Sequence, residues 1–457
     1  VLSRRLRAIG STVLAGVVLA PAAALAGGIV GSDGAGDPFF PQAGNGGYQV
    51  RHYDLGVRYH RSGHLDGLAK IDAVAASTLS RFDLDLRERM GVASVRVNGA
   101  SASFAQDGQE LRITPASELP AAGSFTARIR YEGKPRFVED PDGSMDGWVP
   151  TDDGAVVVSE PQGSPTWFPC NDHPSDKATY DVDVTVPASL KAISNGTLRS
   201  RARHGKRVTF SWHEPDPMAT YLATATIGQF HLTRSRAVGV PTYVAVDRGT
   251  KDGAVEKLPS VLEFFSHRFG RYPFTAAGAI IDPSGVGYSL EVQTKPYFPG
   301  GPGEILLAHE LAHQWFGDSV SLERWRDIWL NEGFATWAQW LWNQHTGGQT
   351  TAQTFDDLYS TPASNASFWN PPPGDPGSPD NLFDGTVYDR GGMTLELLRQ
   401  QVGNHTFFRI LRAWTHDHEH ANGNTQGFID LAEAKSGMDL SGFFQDWLFT
   451  PGKPAQP

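Results

Sequence analysis

Two histidines one helical turn apart, with a glutamate directly after the first, constrain this chain more than any other feature. In His309-Glu310-Leu311-Ala312-His313 the imidazoles fall on one face of a helix, because residues four apart stack along its axis. A Zn2+ ion takes neutral imidazole nitrogens at about 2.0–2.1 Å, and one rigid turn can hold two of them at that reach. Glu310 sits where its carboxylate faces a metal-bound water instead of the metal. The stretch 304–316 has no proline and no β-branched run and predicts a helix, with Gly317 as its stop. A second helix is predicted over 327–345. The short reversal between them, 318–326, lets it fold back so that Glu332 becomes a third ligand. Three protein ligands leave one coordination position open, as a catalytic zinc requires. Taken alone, the motif also fits two solvated histidines on a surface helix.

The surrounding residues narrow that choice. His309-Glu310-Leu311-Ala312-His313-Gln314-Trp315-Phe316-Gly317-Asp318 is followed by Trp329-Leu330-Asn331-Glu332-Gly333-Phe334-Ala335. Together they resemble the aminopeptidase N family of gluzincin zinc metallopeptidases almost letter for letter. Three further stretches carry the resemblance. Ser159-Glu160-Pro161-Gln162-Gly163, then Trp167-Phe168-Pro169-Cys170-Asn171-Asp172-His173-Pro174 and Lys177-Ala178-Thr179-Tyr180, is similar to the family's N-domain block. There an acidic or amide residue eight before the phenylalanine reaches the active site, which here is Glu160. Tyr288-Ser289-Leu290-Glu291-Val292 stands in place of the family's G-x-M-E-N motif, and only the glutamate is kept. Val387-Tyr388-Asp389-Arg390-Gly391-Gly392 resembles the Tyr-x-Lys-Gly segment, with arginine in place of lysine.

The resemblance covers about residues 50–450 and implies a secreted, bacterial zinc aminopeptidase that hydrolyses the N-terminal peptide bond through a zinc-activated water. One Zn2+ per chain would sit on His309, His313 and Glu332. Glu310 would act as general base and Tyr388 would donate to the developing oxyanion. Glu160 and Glu291 would hold the α-ammonium of a peptide substrate with a free N-terminus. The chemistry suits that task, since a partly desolvated ammonium needs charged acceptors and an internal peptide bond offers no such cation. The family usually continues into a small β-domain and a helical C-terminal domain. With the sequence ending at Pro457, a short form with a more open cleft and tolerance of longer peptides is expected. Two other classes share the zinc set or the fold: a thermolysin-like endopeptidase, which has no use for Glu160 and Glu291, and a non-catalytic binding module.

The fold class expected is α+β. Residues 48–234 alternate apolar and polar positions between glycine and proline breaks and predict an all-β domain, an antiparallel sandwich or saddle. Residues 235–457 change to a helical period and predict a mainly helical, thermolysin-like catalytic domain. Residues 27–47 are glycine-rich and predict a flexible leader. Arg4, Arg5 and Arg7, an apolar run over 9–20 and Ala24-Leu25-Ala26 make residues 1–26 a signal peptide. Ser3-Arg4-Arg5 hints at twin-arginine export, although ordinary secretion fits better, and Val1 suggests a bacterial GTG start. A net charge of −11 argues against nucleic acid and anionic membrane as partners. The single cysteine, Cys170, excludes an intramolecular disulfide. No stable membrane insertion is expected after signal removal, and a monomer is expected. His416, His418 and His420, spaced by two, point in different directions on a helix and predict no second zinc. Asp318 and Asp327 are weaker candidates as hydrogen-bond partners of the zinc histidines.

Overall fold

A computed structural model describes residues 27–456. The expected signal segment, 1–26, lies outside the described residues. The N-terminal half is built on an eight-stranded sheet at whose centre Tyr48–Tyr59 pairs with Leu65–Ala75, and that strand with Ser124–Gly133. Strand Tyr48–Tyr59 alternates buried and exposed side chains, as a sheet with one wet face requires. Within this eight-stranded sheet one pairing departs from the antiparallel rule: Ala178–Pro187 runs parallel to Tyr48–Tyr59. A five-stranded sheet lies beside it, and its strand Ala155–Val158 is buried at every position. Glu160 follows two residues after this strand.

The expected boundary at 234 falls inside strand His231–Ala237, whose partner is Val240–Val246. Val240–Val246 in turn pairs in parallel with Ala277–Ile281, so this sheet belongs to the catalytic unit and the division lies before His231. Helices follow: α1 (Leu258–Phe269), α2 (Glu304–Ala312), α3 (Trp329–His345), α4 (Thr351–Tyr359), α5 (Ala366–Trp369), α6 (Gly385–Val402), α7 (Asn404–Asp417) and α8 (Thr425–Ser436). Trp315, Trp325, Trp329, Trp337, Trp414 and Trp447 are fully buried among them and form an aromatic core. No described helix is long and apolar enough to cross a membrane.

The expectation of a flexible leader over 27–47 is corrected. Asp37 is buried; its carboxylate accepts from the backbone of Phe39 at 2.8 Å and of Trp325 at 2.8 Å. Phe40 packs edge-on against the Trp325 ring, and Asn45 N donates to the Asn171 side chain. The glycines serve close approach here, not freedom. Gly44 has φ +68°, and a Cβ there would lie 2.7 Å from that of His173. The segment ties the β-domain to the turn that precedes α3.

Candidate active site

Helix α2 carries His309 and Glu310, and His313 directly follows it with helical dihedrals (φ −56°, ψ −25°). The chain then turns at Gly317, φ +132°, where a Cβ would lie 3.3 Å from His313 Nδ1. Glycine therefore lets the backbone pass under the imidazole, and His313 Nδ1 meets Phe316 O at 3.1 Å. A carbonyl only accepts, so in neutral His313 the proton is on Nδ1 and Nε2 is a bare lone pair. Helix α3 folds back as the spacing predicts and brings Glu332 to it.

His309 Nε2, His313 Nε2 and Glu332 Oε2 form a triangle with sides of 3.2, 3.3 and 3.4 Å. Ligand atoms about 2.0–2.1 Å from a shared tetrahedral metal stand about 3.3 Å apart, so the triangle fits Zn2+. All three residues are buried. Glu291, Glu310 and His313, and separately Glu160, Glu291 and Glu332, also bring ligand atoms within 4.8 Å of one another. These groups share the same cleft but lack the imidazole pair.

The cleft has a volume of about 710 Å3 and is lined by Glu160, Glu291, Glu310, Tyr388 and the three ligands, with Met145, Tyr288 and Phe383 among its walls. Glu160 is 6 %, Glu291 2 % and Glu310 4 % exposed, so little water reaches their carboxylates. Glu160 Oε1 and Glu291 Oε1 have no hydrogen-bond partner. Burial, followed by the charge of Glu291, pushes Glu160 well above the carboxylate range. Burial likewise raises Glu310 well above that range, and takes Glu291 to about 7 against the opposing pull of His313. Glu332 is the exception: burial acts to raise it, but His313 in its protonated form, and hydrogen bonds donated by the imidazoles when their Nε2 atoms carry hydrogen, hold it at about 2. The cavity is thus short of positive charge, and cations placed there would restore the ionised carboxylates.

Tyr388 lies in the first turn of α6, where the Asp384 side chain caps Thr386 N at 2.9 Å. Its ring lies nearly parallel to that of His309, 6.1 Å between centroids. A glycine contact sets this position. A Cβ on Gly333 of α3 would lie 2.9 Å from Gly391 Cα of α6, so the two backbones touch one residue after Glu332 and three after Tyr388. Arg390, which replaces the family's lysine, is fully buried and donates to the carbonyls of Trp369, Asp446, Trp447, Thr450 and Gly452. A lysine has three donors and no planar fork, so it could not satisfy all five.

Several residues act as positioning groups in ways that the motifs do not disclose. Gln314 Nε2 donates to Glu291 O at 3.1 Å and to Asp318 Oδ2 at 2.6 Å, while its oxygen accepts from Thr294 N. It fastens the Glu291 segment to the zinc-motif turn. Asn195 of the β-domain donates to Gln293 O at 2.8 Å from the other side. Lys177 reaches across from the β-domain and donates to the carbonyls of Asp318 and Ser319 at 2.8 and 2.9 Å. Apart from the Asp318 carboxylate four residues from Gln314, their polar partners are remote in sequence or on the backbone, which no local pattern announces. Asp318 and Asp327 do not partner the histidines: Asp318 takes Gln314, and Asp327 takes Thr425 N and Oγ1. Tyr288, where the family has glycine, donates its hydroxyl to Met145 O at 2.7 Å and bridges the two cleft walls. His416, His418 and His420 join no metal-binding group among the described residues.

Comparison with known proteins agrees with this geometry. Residues 49–222 match the Peptidase M1 N-terminal domain and residues 304–447 the Peptidase family M1 domain. Aminopeptidase M1 of Arabidopsis thaliana is 28 % identical over 331 residues, 66 % of this chain and 37 % of the relative. Probable aminopeptidase 2 of Sulfurisphaera tokodaii is 25 % identical over 406 residues, 80 % and 49 % of the two chains. This chain therefore spans less than half the length of these curated relatives. Among solved structures, an M1 zinc metallopeptidase from Deinococcus radiodurans is 30 % identical with a TM-score of 0.86, covering 93 % of this chain and 98 % of its own. A mutant of that enzyme bound to a Tyr-Ser-Ala substrate gives the same TM-score at 29 % identity, covering 93 % of this chain and all of its own. Domain order and fold agree along most of the chain, and it belongs to peptidase family M1.

Proposed function

We propose that the chain is a zinc-dependent aminopeptidase that removes the N-terminal residue of peptides. The observation that carries this reading is the convergence of Glu160 and Glu291, two buried carboxylates with unpartnered oxygens, on the cleft that holds the ligand triangle. A related M1 structure is described with a tripeptide substrate and others with L-arginine and L-tryptophan, consistent with a site for a free amino end.

A Zn2+ held by His309, His313 and Glu332 supplies Lewis acidity toward the scissile carbonyl and toward water. Glu160 and Glu291 bind the α-ammonium by charge-assisted hydrogen bonds and set the register, so that the first peptide bond lies over the ligands. Glu310, beside His309 and not one of the three ligands, accepts a proton from the attacking water and returns it to the leaving amine. Tyr388 donates its phenolic hydrogen to the oxygen on which charge develops. Burial keeps Tyr388 protonated, its hydroxyl being held far above the ordinary range. Export through residues 1–26 and action as a monomer belong to the same proposal; N-terminal sequencing of protein from the medium and sedimentation test them.

A panel of aminoacyl amides, assayed with and without a chelator, tests the activity. Hydrolysis that stops on chelation and returns with Zn2+ is expected. A zinc-loaded protein that hydrolyses none of them would favour a binding module, and one that cuts only within longer peptides an endopeptidase.

A further inference from the structure

One wall of the cleft, from Asp142 to Met145, belongs to a hairpin of the β-domain whose strands are Val138–Glu139 and Met145–Pro150. Asp146 pairs with Val138 across the ladder, and Asp140 stands two residues beyond Val138, on the same face. Two carboxyls therefore leave the hairpin as diagonal neighbours, and both are buried, Asp140 5 % and Asp146 0 % exposed. The turn between them is closed by backbone bonds from Asp140 N to Ser144 O at 3.0 Å and from Gly143 N to Asp140 O at 2.8 Å.

Both carboxyls meet the turn that carries Glu160. Gln162 N donates to Asp146 Oδ2 at 2.8 Å, and Gln162 Nε2 donates to Asp140 Oδ1 at 2.9 Å. A Cβ on Gly163 would lie 2.0 Å from Asp146 Oδ1, so that oxygen rests directly on the turn. The remaining oxygens, Asp140 Oδ2 and Asp146 Oδ1, are buried and receive no N–H or hydroxyl from the rest of the described chain. What is left to them is each other, and the two carboxyls hydrogen-bond together. A carboxylate only accepts, so that bond needs a proton on one of the pair.

The surroundings favour keeping that proton. Burial, then the charge of Asp140, raises Asp146 well above the carboxylate range. Burial also raises Asp140, against the hydrogen bond from Gln162. Asp142 adds negative charge beside Asp140, and Asp172 adds it beside Asp146. Glu160 and the Tyr288 hydroxyl stand in the field of the same pair. Arg87 is the cation that opposes them, and its Nη2 donates to Gln162 Oε1 at 3.1 Å. Two carboxyls at hydrogen-bond distance in such a place do not both ionise without pushing apart.

We infer that Asp140 and Asp146 share one proton and act as a positioning pair, which through Gln162 holds the Glu160 turn against the cleft wall. The consequence for activity rests on the peptidase reading, in which Glu160 accepts the α-ammonium. When the shared proton leaves, hairpin and turn separate and Glu160 loses its register. His309, His313 and Glu332 stand on other elements and keep theirs. The symptom is weaker binding of the free amino end at alkaline pH, not a slower chemical step.

Asp146→Asn imitates the protonated state permanently, because an amide oxygen accepts from Gln162 N while the amide nitrogen donates to Asp140 Oδ2. Asp140→Asn does the same from the other side, accepting from Gln162 Nε2 and donating to Asp146 Oδ1. The zinc-loaded wild type and both variants are compared from about pH 6 to pH 9, by thermal midpoint and by steady-state hydrolysis of one aminoacyl amide. A carboxyl raised in the folded state stabilises at low pH, and that stability is lost as pH rises through its folded value; an amide has no such loss. The wild-type midpoint is therefore expected to fall relative to either variant by about 2 °C or more across this range. The wild-type KM is expected to rise relative to theirs by about 10-fold, with the kcat ratio flat. Ratios taken on one substrate cancel the titration of its own amino group. A midpoint difference that does not change with pH overturns the shared proton. A pH-dependent midpoint with a flat KM ratio overturns the positioning role. The midpoints need no turnover, so a chain that hydrolyses no amide fails the peptidase reading and still decides the shared proton.

Discussion

The metal triangle and the acidic socket occupy one cleft but are built in opposite ways. His309, His313 and Glu332 come from two helices joined by a short reversal, and their relative positions follow from helical repeat and one turn. Glu160 and Glu291 come from different domains. One follows a strand of the β-domain; the other lies on a catalytic-domain segment held by Gln314 and by Asn195. The first arrangement is local and robust, whereas the second exists only while the two domains stay docked. On the proposed function, metal binding and selectivity for a free amino end are therefore expected to be separable.

Substitutions that divide the two sets probe this contrast, and the largest effect is expected at Glu310. Glu310→Gln should lower kcat by about 10³-fold while the chain keeps its zinc, because the base is not a ligand. Loss of zinc from this variant, measured by metal analysis, would move Glu310 into the metal set. Tyr388→Phe should lower kcat by about 10²-fold with KM little changed, since the hydroxyl acts on charge that appears only in the transition state. An effect confined to KM would assign the tyrosine to substrate binding instead. Glu291→Gln and Glu160→Gln should each reduce kcat/KM for free peptides by about 10- to 100-fold, the loss of one charged hydrogen bond. Neither should alter zinc content.

The smallest effect is expected at the domain junction. Lys177→Met removes the donor shared by the Asp318 and Ser319 carbonyls. It should lower the thermal midpoint by about 2–4 °C and raise KM for free peptides more than it changes kcat. Equal losses of zinc and of substrate affinity would show that the two sets are not separable.

The same contrast explains what the sequence discloses. The candidate zinc ligands follow from helical spacing sharpened by the family resemblance, and helix α2 begins at Glu304 and α3 ends at His345 as expected, because period and stop signals are local. Glu160 and Glu291 are identified only through a family resemblance, since a single carboxylate at a strand end carries no chemistry of its own. The positioning roles of Gln314, Lys177, Asn195 and Arg390 escape sequence reading, although three of the four stand inside motif stretches, because most of their polar partners are distant or on the backbone. Residues 27–47 mislead for a related reason. A run of glycines reads as freedom, but Asp37, Phe40 and Asn45 find partners in segments more than a hundred residues away. The boundary at 234 was similarly hidden, because strand His231–Ala237 looks like its predecessors until its partner Val240–Val246 is seen to join Ala277–Ile281.

The central claim is that a negatively charged socket beside the metal selects a free amino end, and blocking that end tests it most directly. The rate of cleavage of one short peptide is compared with that of its N-acetylated form, using the same zinc-loaded protein. The account predicts release of the first residue from the free peptide and no measurable cleavage of the acetylated one. Comparable cleavage of both would contradict it.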